Sequence, residues 1–315
     1  MRNNNWNRRE FMVAVPGIVA GAAAMAHGQT SEKPLSVPWS AGTELPHLKL
    51  PPNAIDCHHH IYNSRFPTAP EATVTPGDAS VADYRLLQKR LGCARNVIVQ
   101  PSTYGIDNSG LLFALGQFGL ETTRGIAVVN TSVTDRELKD LQAAGVRGIR
   151  FTLSPPGSTT FEMVKPLAKR VEPLGWHIQV NASSEQIVAA KQLWNDIPCP
   201  IVFDHQAHVL QPAMGEDPGL AVVVDLLHKG KAWVKLSGAF FSKIGPPSYS
   251  DTIPVARAYV KEAPERLVWG SNWPHPTDKF IPDDAALLDL FGEWVPDTAT
   301  RKQILVDNAE KLYGF

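Results

Sequence analysis

Two histidines at positions i and i+2 open the chemistry of this chain, in the run Asp56-Cys57-His58-His59-His60. In an extended strand, residues two apart share a face. His58 and His60 are therefore expected to point together to one side, with Asp56 beneath them, and Cys57 and His59 to the other. Two imidazoles presented together can grip one metal ion, polarise one carbonyl, or share a proton. His59, alone on its face, reads as a packed core histidine. Further on, His205 follows the apolar run Ile201-Val202-Phe203, and Arg150 stands near the end of Gly148–Leu153. A guanidinium fork pairs with a planar carboxylate through two charge-assisted hydrogen bonds, or fills an ion pair of the protein's own. Gln100, Ser102 and Tyr104 follow Val97-Ile98-Val99, and Asn272 and His275 flank Trp273-Pro274. Ser102 and Tyr104 can hydrogen-bond a ring oxygen or a hydroxyl, and His275 can face a substrate or cap its own loop.

These groups need a scaffold that brings distant segments to one place, and the chain supplies a repeating one. Short β-rich runs recur at Ala54–Ile61, Asn96–Pro101, Gly125–Asn130, Gly148–Leu153, His177–Ala182, Pro200–His205, Ala232–Gly238 and Arg266–Asn272. Helical patterns lie between them, at Val81–Leu91, Asp135–Ala144, Phe161–Leu174, Glu185–Trp194 and Ile253–Glu262, and Thr298–Tyr313 reads as a terminal helix. Strict alternation of strand and helix implies βαβ units around a parallel sheet. Eight repeats predict an α/β fold closed as a (β/α)8 TIM barrel, and no GxGxxG or GxxxxGK[ST] follows any strand to suggest nucleotide binding. In such barrels the site lies at the C-terminal ends of the strands. Every polar residue named above falls there, together with Asn130, Asn181, His208 and Ser237.

The remaining sequence bounds compartment and partners. Arg8-Arg9 followed by the apolar stretch Val13–Met25 and Ala24-Met25-Ala26 reads as a twin-arginine signal peptide over residues 1–26, so an exported, periplasmic protein is expected. Residues 27–52, rich in Pro, Ser and Thr, read as a linker or N-terminal arm over the barrel surface, and 53–315 as the barrel itself. The apolar stretch is short of the ~20 residues of a membrane span, so none is expected after cleavage. A formal net charge of −1 with interleaved signs points away from nucleic acid and toward a small-molecule substrate. Three widely spaced cysteines suggest neither a disulfide framework nor a thiolate zinc site. Oligomeric state is not legible.

Asp-x-His-x-His at the first strand, Val202-Phe203-Asp204-His205 and Leu267-Val268-Trp269-Gly270-Ser271-Asn272-Trp273-Pro274-His275 together resemble the amidohydrolase superfamily. The type is the amidohydrolase-related (amidohydrolase 2) one. The similarity is to its branch of 2-pyrone-4,6-dicarboxylate lactonases, sugar lactonases and a D-galactarolactone isomerase, and Arg95–Ser102 and Gly145–Phe151 fit the same branch. The resemblance implies a hydrolase acting on the lactone of a small organic or sugar acid. It implies catalytic roles for His58, His60, His205 and Asn272, and a substrate-binding role for Arg150, with Gln100, Ser102, Tyr104 and His275 beside it. Where the superfamily carries a metal-binding aspartate that takes a proton from water, this chain has Asn272, and an amide is no general base at neutral pH. No cofactor is therefore expected. The alternative is one zinc ion on His58, His60 and His205, since three imidazoles and a water form a sound catalytic shell. Two further arginines of the branch fall on Pro156 and Phe241 here, and Phe240, Phe241 and Pro155-Pro156 make an apolar mouth. Rival readings are a lactone isomerase, a zinc-dependent hydrolase or decarboxylase, and a non-catalytic periplasmic binding barrel.

Overall fold

Residues 35–154, 157–209 and 217–315 are described by the structure, a computed structural model. The arginine pair, the apolar stretch after it and Pro155-Pro156 lie outside the described residues. Among the described residues, β1 (Ile55–His59), β2 (Arg95–Val99), β3 (Thr123–Ala127), β4 (Val146–Thr152), β5 (His177–Asn181), β6 (Ile201–Phe203), β7 (Ala232–Leu236) and β8 (Leu267–Trp269) follow one another around a single sheet. Each of the seven neighbouring pairs is parallel. This is the expected (β/α)8 barrel. Beyond the regular ends of β8 and β1, Asn272 donates its N–H to the His58 carbonyl and His60 donates to the Trp273 carbonyl, both at 2.8 Å. These two bonds stitch the seam between last and first strands.

The lumen is a packed core at its lower end. Ile55, Cys57, Val97, Val99, Ile126, Val202, Trp233 and Val268 fill it, with Ala309 and Tyr313 closing the bottom. A register shift between Asp56 and His59 sets Cys57 and His58 together against β2. This β-bulge re-aims the strand. Both Cys57 and His58 turn inward, and Asp56 turns away from the lumen, against the simple alternation expected from the sequence. Asp56 instead accepts from the Tyr84 hydroxyl (2.8 Å), the Ser271 hydroxyl (2.6 Å) and the Ser271 and His58 N–H groups. His59 points outward as expected and stacks on Tyr84, ring centroids 3.5 Å apart.

Around the sheet run α1 (Val81–Leu91), α2 (Ser109–Phe118), α3 (Asp135–Ala143), α4 (Phe161–Val171), α5 (Ser184–Ala189), α6 (Lys191–Asp196), α7 (Pro218–His228), α8 (Ile253–Glu262), α9 (Asp284–Trp294), α10 (Thr298–Lys302) and α11 (Asn308–Tyr313). Local signals start several of them: reciprocal capping boxes join Ser80 with Asp83, Thr134 with Glu137 and Ser183 with Gln186. The single helix expected over Glu185–Trp194 is two, broken at Ala190 (φ −94°, ψ 15°). The Trp194 indole N–H takes up the Ile187 carbonyl at 2.9 Å, which holds the break closed. Residues 35–52 lie against the barrel. Arg90 of α1, buried, donates to the carbonyls of Ala41 and Glu44 and to Asp283, while Asp289 of α9 accepts the N–H groups of His47 and Leu48.

Candidate active site

Five strands contribute to one buried polar cluster at the upper end of the lumen. His58 and His60 of the β1 end stand with their Nε2 atoms 3.3 Å apart and their rings perpendicular. The His205 ring, from the β6 end, lies 4.7 Å from that of His58. Beneath them Asp204 is fully buried, with Oδ2 accepting from Arg150 Nε of β4 (3.0 Å) and from the Gln179 amide of β5 (3.1 Å). Its other oxygen, Oδ1, is 3.3 Å from His58 Nδ1 and 3.7 Å from Lys235 Nζ. Lys235, on β7 and fully buried, donates to Gln179 Oε1 (2.7 Å), the Cys57 carbonyl (2.9 Å) and His58 Nδ1 (3.3 Å).

Period-two geometry explains which residues arrive here. Asp204 shares parity with Val202, and Lys235 and Ser237 with Trp233; both apolar residues fill the lumen below. That parity is the signal by which the sequence could have yielded Asp204, Gln179 and Lys235 as site residues. Residue type alone does not announce them as site residues, because each sits within or beside an otherwise apolar run.

The electrostatics follow from burial and from two cations near one anion. Burial disfavours the Asp204 carboxylate, but His58, Arg150 and Lys235 outweigh it and hold Asp204 well below the usual carboxylate range. Burial, followed by the Lys235 charge, holds His58 well below 6.5. His205 is likewise depressed by burial, and burial takes His60 down to about 3. The three imidazoles are neutral at neutral pH. Burial also lowers the Lys235 ammonium to about 8. A carbonyl only accepts, so the 2.8 Å contact of His60 Nδ1 with Val99 O puts the His60 proton on Nδ1. Its Nε2 is then an acceptor facing His58.

Backbone strain is concentrated at the same rim. His205, Gln206, Ala207 and His208 have φ of 52°, 54°, 57° and 53°, four successive left-handed residues without a glycine. Each costs roughly 1–2 kcal/mol. Tyr259 of α8 anchors the turn by donating to the Gln206 carbonyl at 3.2 Å. Asn272, which reaches the cavity wall at φ 66°, is a residue type that tolerates this region.

Above the cluster opens a cavity of about 280 Å³. The structure brings His60, His205, Asn272, Arg150 and Ser102 to its wall, with Tyr62, Asn181 and His208 beside them. His58 lies under the floor. Three residues expected near substrate are turned to other partners. Gln100 donates to the Asp107 carbonyl at 2.6 Å, the Tyr104 hydroxyl bridges the N–H and carbonyl of Asn63, and His275 Nε2 lies 3.0 Å from Asp284 Oδ1 at the start of α9. They shape loops, because each finds a fixed partner before it reaches the cavity. The Arg150 Nε is occupied by Asp204, which makes the ion pair of the protein's own, and the residue also lines the cavity wall.

A divalent metal suits these residues poorly. Among the described residues, the set whose donor atoms all lie within 4.8 Å of one another is His58, Asp204 and His205, rather than the three histidines alone. The carboxylate of that set already neutralises Arg150, and Lys235 lies beside both His58 Nδ1 and Asp204 Oδ1. A divalent ion there would add charge next to two resident cations, with Asn272 unable to offset it.

Residues 55–315 match the Amidohydrolase family. A 2-pyrone-4,6-dicarboxylate hydrolase of Comamonas testosteroni is 34% identical over 300 residues, covering 90% of this chain and 98% of that protein. A 4-sulfomuconolactone hydrolase of Rhizobium radiobacter is 35% identical over 274 residues, 84% of this chain and 91% of its own. Among solved structures, an Agrobacterium tumefaciens protein in its apo form superposes with a TM-score of 0.81 at 28% identity, covering 88% of this chain and 98% of that one.

Proposed function

The chain belongs to the amidohydrolase family, and from that membership we propose that it is a hydrolase opening the lactone ring of a small organic acid without a metal ion. The observation that carries this reading is the trio of neutral imidazoles over a carboxylate that two cations already neutralise. Such a floor has hydrogen-bond donors and proton acceptors and, with two cations against one carboxylate, a positive balance, which suits a neutral ester carbonyl that gains negative charge only as it reacts. In the proposed reaction, water adds to the carbonyl carbon and the ring C–O bond breaks. The ring oxygen takes a proton, and the new carboxylic acid releases one to solution. His205 moves the proton between nucleophile and ring oxygen, the Asn272 amide hydrogen-bonds the carbonyl oxygen as it becomes an oxyanion, and His60, backed by His58 beneath the floor, lines the cavity with its Nε2 as an acceptor. Arg150 holds a carboxylate of the substrate.

A second reading has a specific observation behind it. Asn272 cannot deprotonate water, so a hydroxyl of the substrate itself could be the nucleophile, which would make the reaction an isomerisation. A pH-indicator assay run alongside NMR on a lactone panel separates the two. Ring opening releases acid, and acyl migration changes the spectrum without acid. His205→Asn is expected to lower the rate at least 10³-fold with an unchanged circular-dichroism spectrum. A variant with near-normal rates would remove His205 from the chemistry.

A further inference from the structure

Building on the lactonase reading, we propose that the preferred substrate carries one carboxylate and a flat apolar portion, and that this site selects against dicarboxylates. Three walls of the cavity point there. The first is its positive charge. Among the described residues lining the cavity, Arg150 is the one lysine or arginine, and its Nε is spent on Asp204. The other ring donors lining it are neutral imidazoles, since burial depresses His60 to about 3 and His208 to about 4. Among the described lining residues, one carboxylate can be met by a charged partner, and a second cannot.

The second wall is acidic. Glu71 lines the cavity at its exposed rim, and its carboxyl is held below the ordinary range by the Ser158 hydroxyl, so it is ionised at neutral pH. A substrate with a charge at each end would place one of them toward Glu71. The third wall is aromatic. Phe240 and Phe241 pack with ring centroids 4.3 Å apart; Phe240 stands 5.2 Å from the His205 ring, and Phe241 4.2 Å from that of His208. The apolar surface is therefore immediately next to the imidazole that handles the proton. A planar hydrocarbon fused to the reacting ring would cover these faces, whereas a carboxylate there would lose its water and gain no partner.

The test uses the full chain and three matched benzo-fused six-membered lactones bearing no, one or two carboxylates, with kcat/KM measured for each. The monocarboxylate is expected to exceed both others by at least tenfold. Glu71→Lys, a change on the exposed rim, is expected to raise the ratio of dicarboxylate to monocarboxylate kcat/KM at least tenfold. A wild-type preference for the dicarboxylate, or a ratio that Glu71→Lys leaves unmoved, overturns the inference while leaving the lactonase reading standing. Turnover of none of the three lactones overturns the inference alone when other lactones of the wider panel are opened, and no ring opening of any lactone removes that reading and this inference with it.

Discussion

Lys235 is the residue on which the protonation of the site turns. Its ammonium, 3.3 Å from His58 Nδ1, is the largest contributor after burial to keeping His58 neutral. Replacing it by a methionine of similar length removes that charge and leaves the Asp204 carboxylate, still paired with Arg150, as the charged group nearest His58, so the His58 pKa rises. Lys235→Met is therefore expected to move the acid limb of kcat/KM to higher pH, with a loss of rate at neutral pH of about tenfold or more. A pH–rate profile with an unmoved acid limb would show that Lys235 fills space and nothing else. What the sequence made legible at this scale was the three imidazoles and Arg150, whose types announce chemistry wherever they occur. What it hid was their support. A lysine inside Ala232-Trp233-Val234-Lys235-Leu236 reads as an oddity of an apolar strand, and only the period-two parity with Trp233 and Ser237 reveals that it faces inward. The Asp56 side chain departs from period-two parity for the opposite reason, because no residue type advertises the bulge in β1.

At the level of elements, all eight strands were legible, since each is a short β-rich run between helical patterns. The helices α2, α7 and α9 were not, as their apolar residues do not fall on one narrow stripe. The turn at His205–His208 also lay beyond the sequence, because non-glycine residues in the left-handed region are a product of tertiary constraint. Gly238, at φ 82°, makes that turn possible: a Cβ there would come within 2.6 Å of the His205 Cβ. Gly238→Ala is expected to cost stability by roughly 1–3 kcal/mol and to push His205 out of register with His58. The readout is a lowered Tm together with a kcat decreased by far more than KM changes. An unchanged kcat in a destabilised variant would separate this glycine from the site.

The whole molecule holds an unusual number of uncharged imidazoles in its interior. His58, His59, His60, His177, His205 and His208 all have pKa values depressed first by burial, to about 3 for His59, His60 and His177 and about 4 for His208. The unfolded chain takes protons on these rings near pH 6.5, and the folded chain refuses them until much lower. The stability they confer is thus fully present above about pH 6.5 and is lost as pH falls toward 4. Asp56 and Asp278 oppose this, because burial raises both, Asp278 to about 6, but they are outnumbered. Tm is expected to fall steeply between pH 6.5 and 4.5 in calorimetry, and a level or rising Tm across that interval would contradict the interior described. One last feature bears on descent. The two backbone bonds that join the barrel's first and last strands run through His58, His60, Asn272 and Trp273, so the seam and the reacting groups are one object. Asn272 holds its place in that seam at φ 66°, a value most other side chains resist, so exchanging it risks closure as well as chemistry, whereas Glu71, Phe240 and Phe241 lie away from that seam and are free to drift. New diets should therefore evolve here sooner than new reactions.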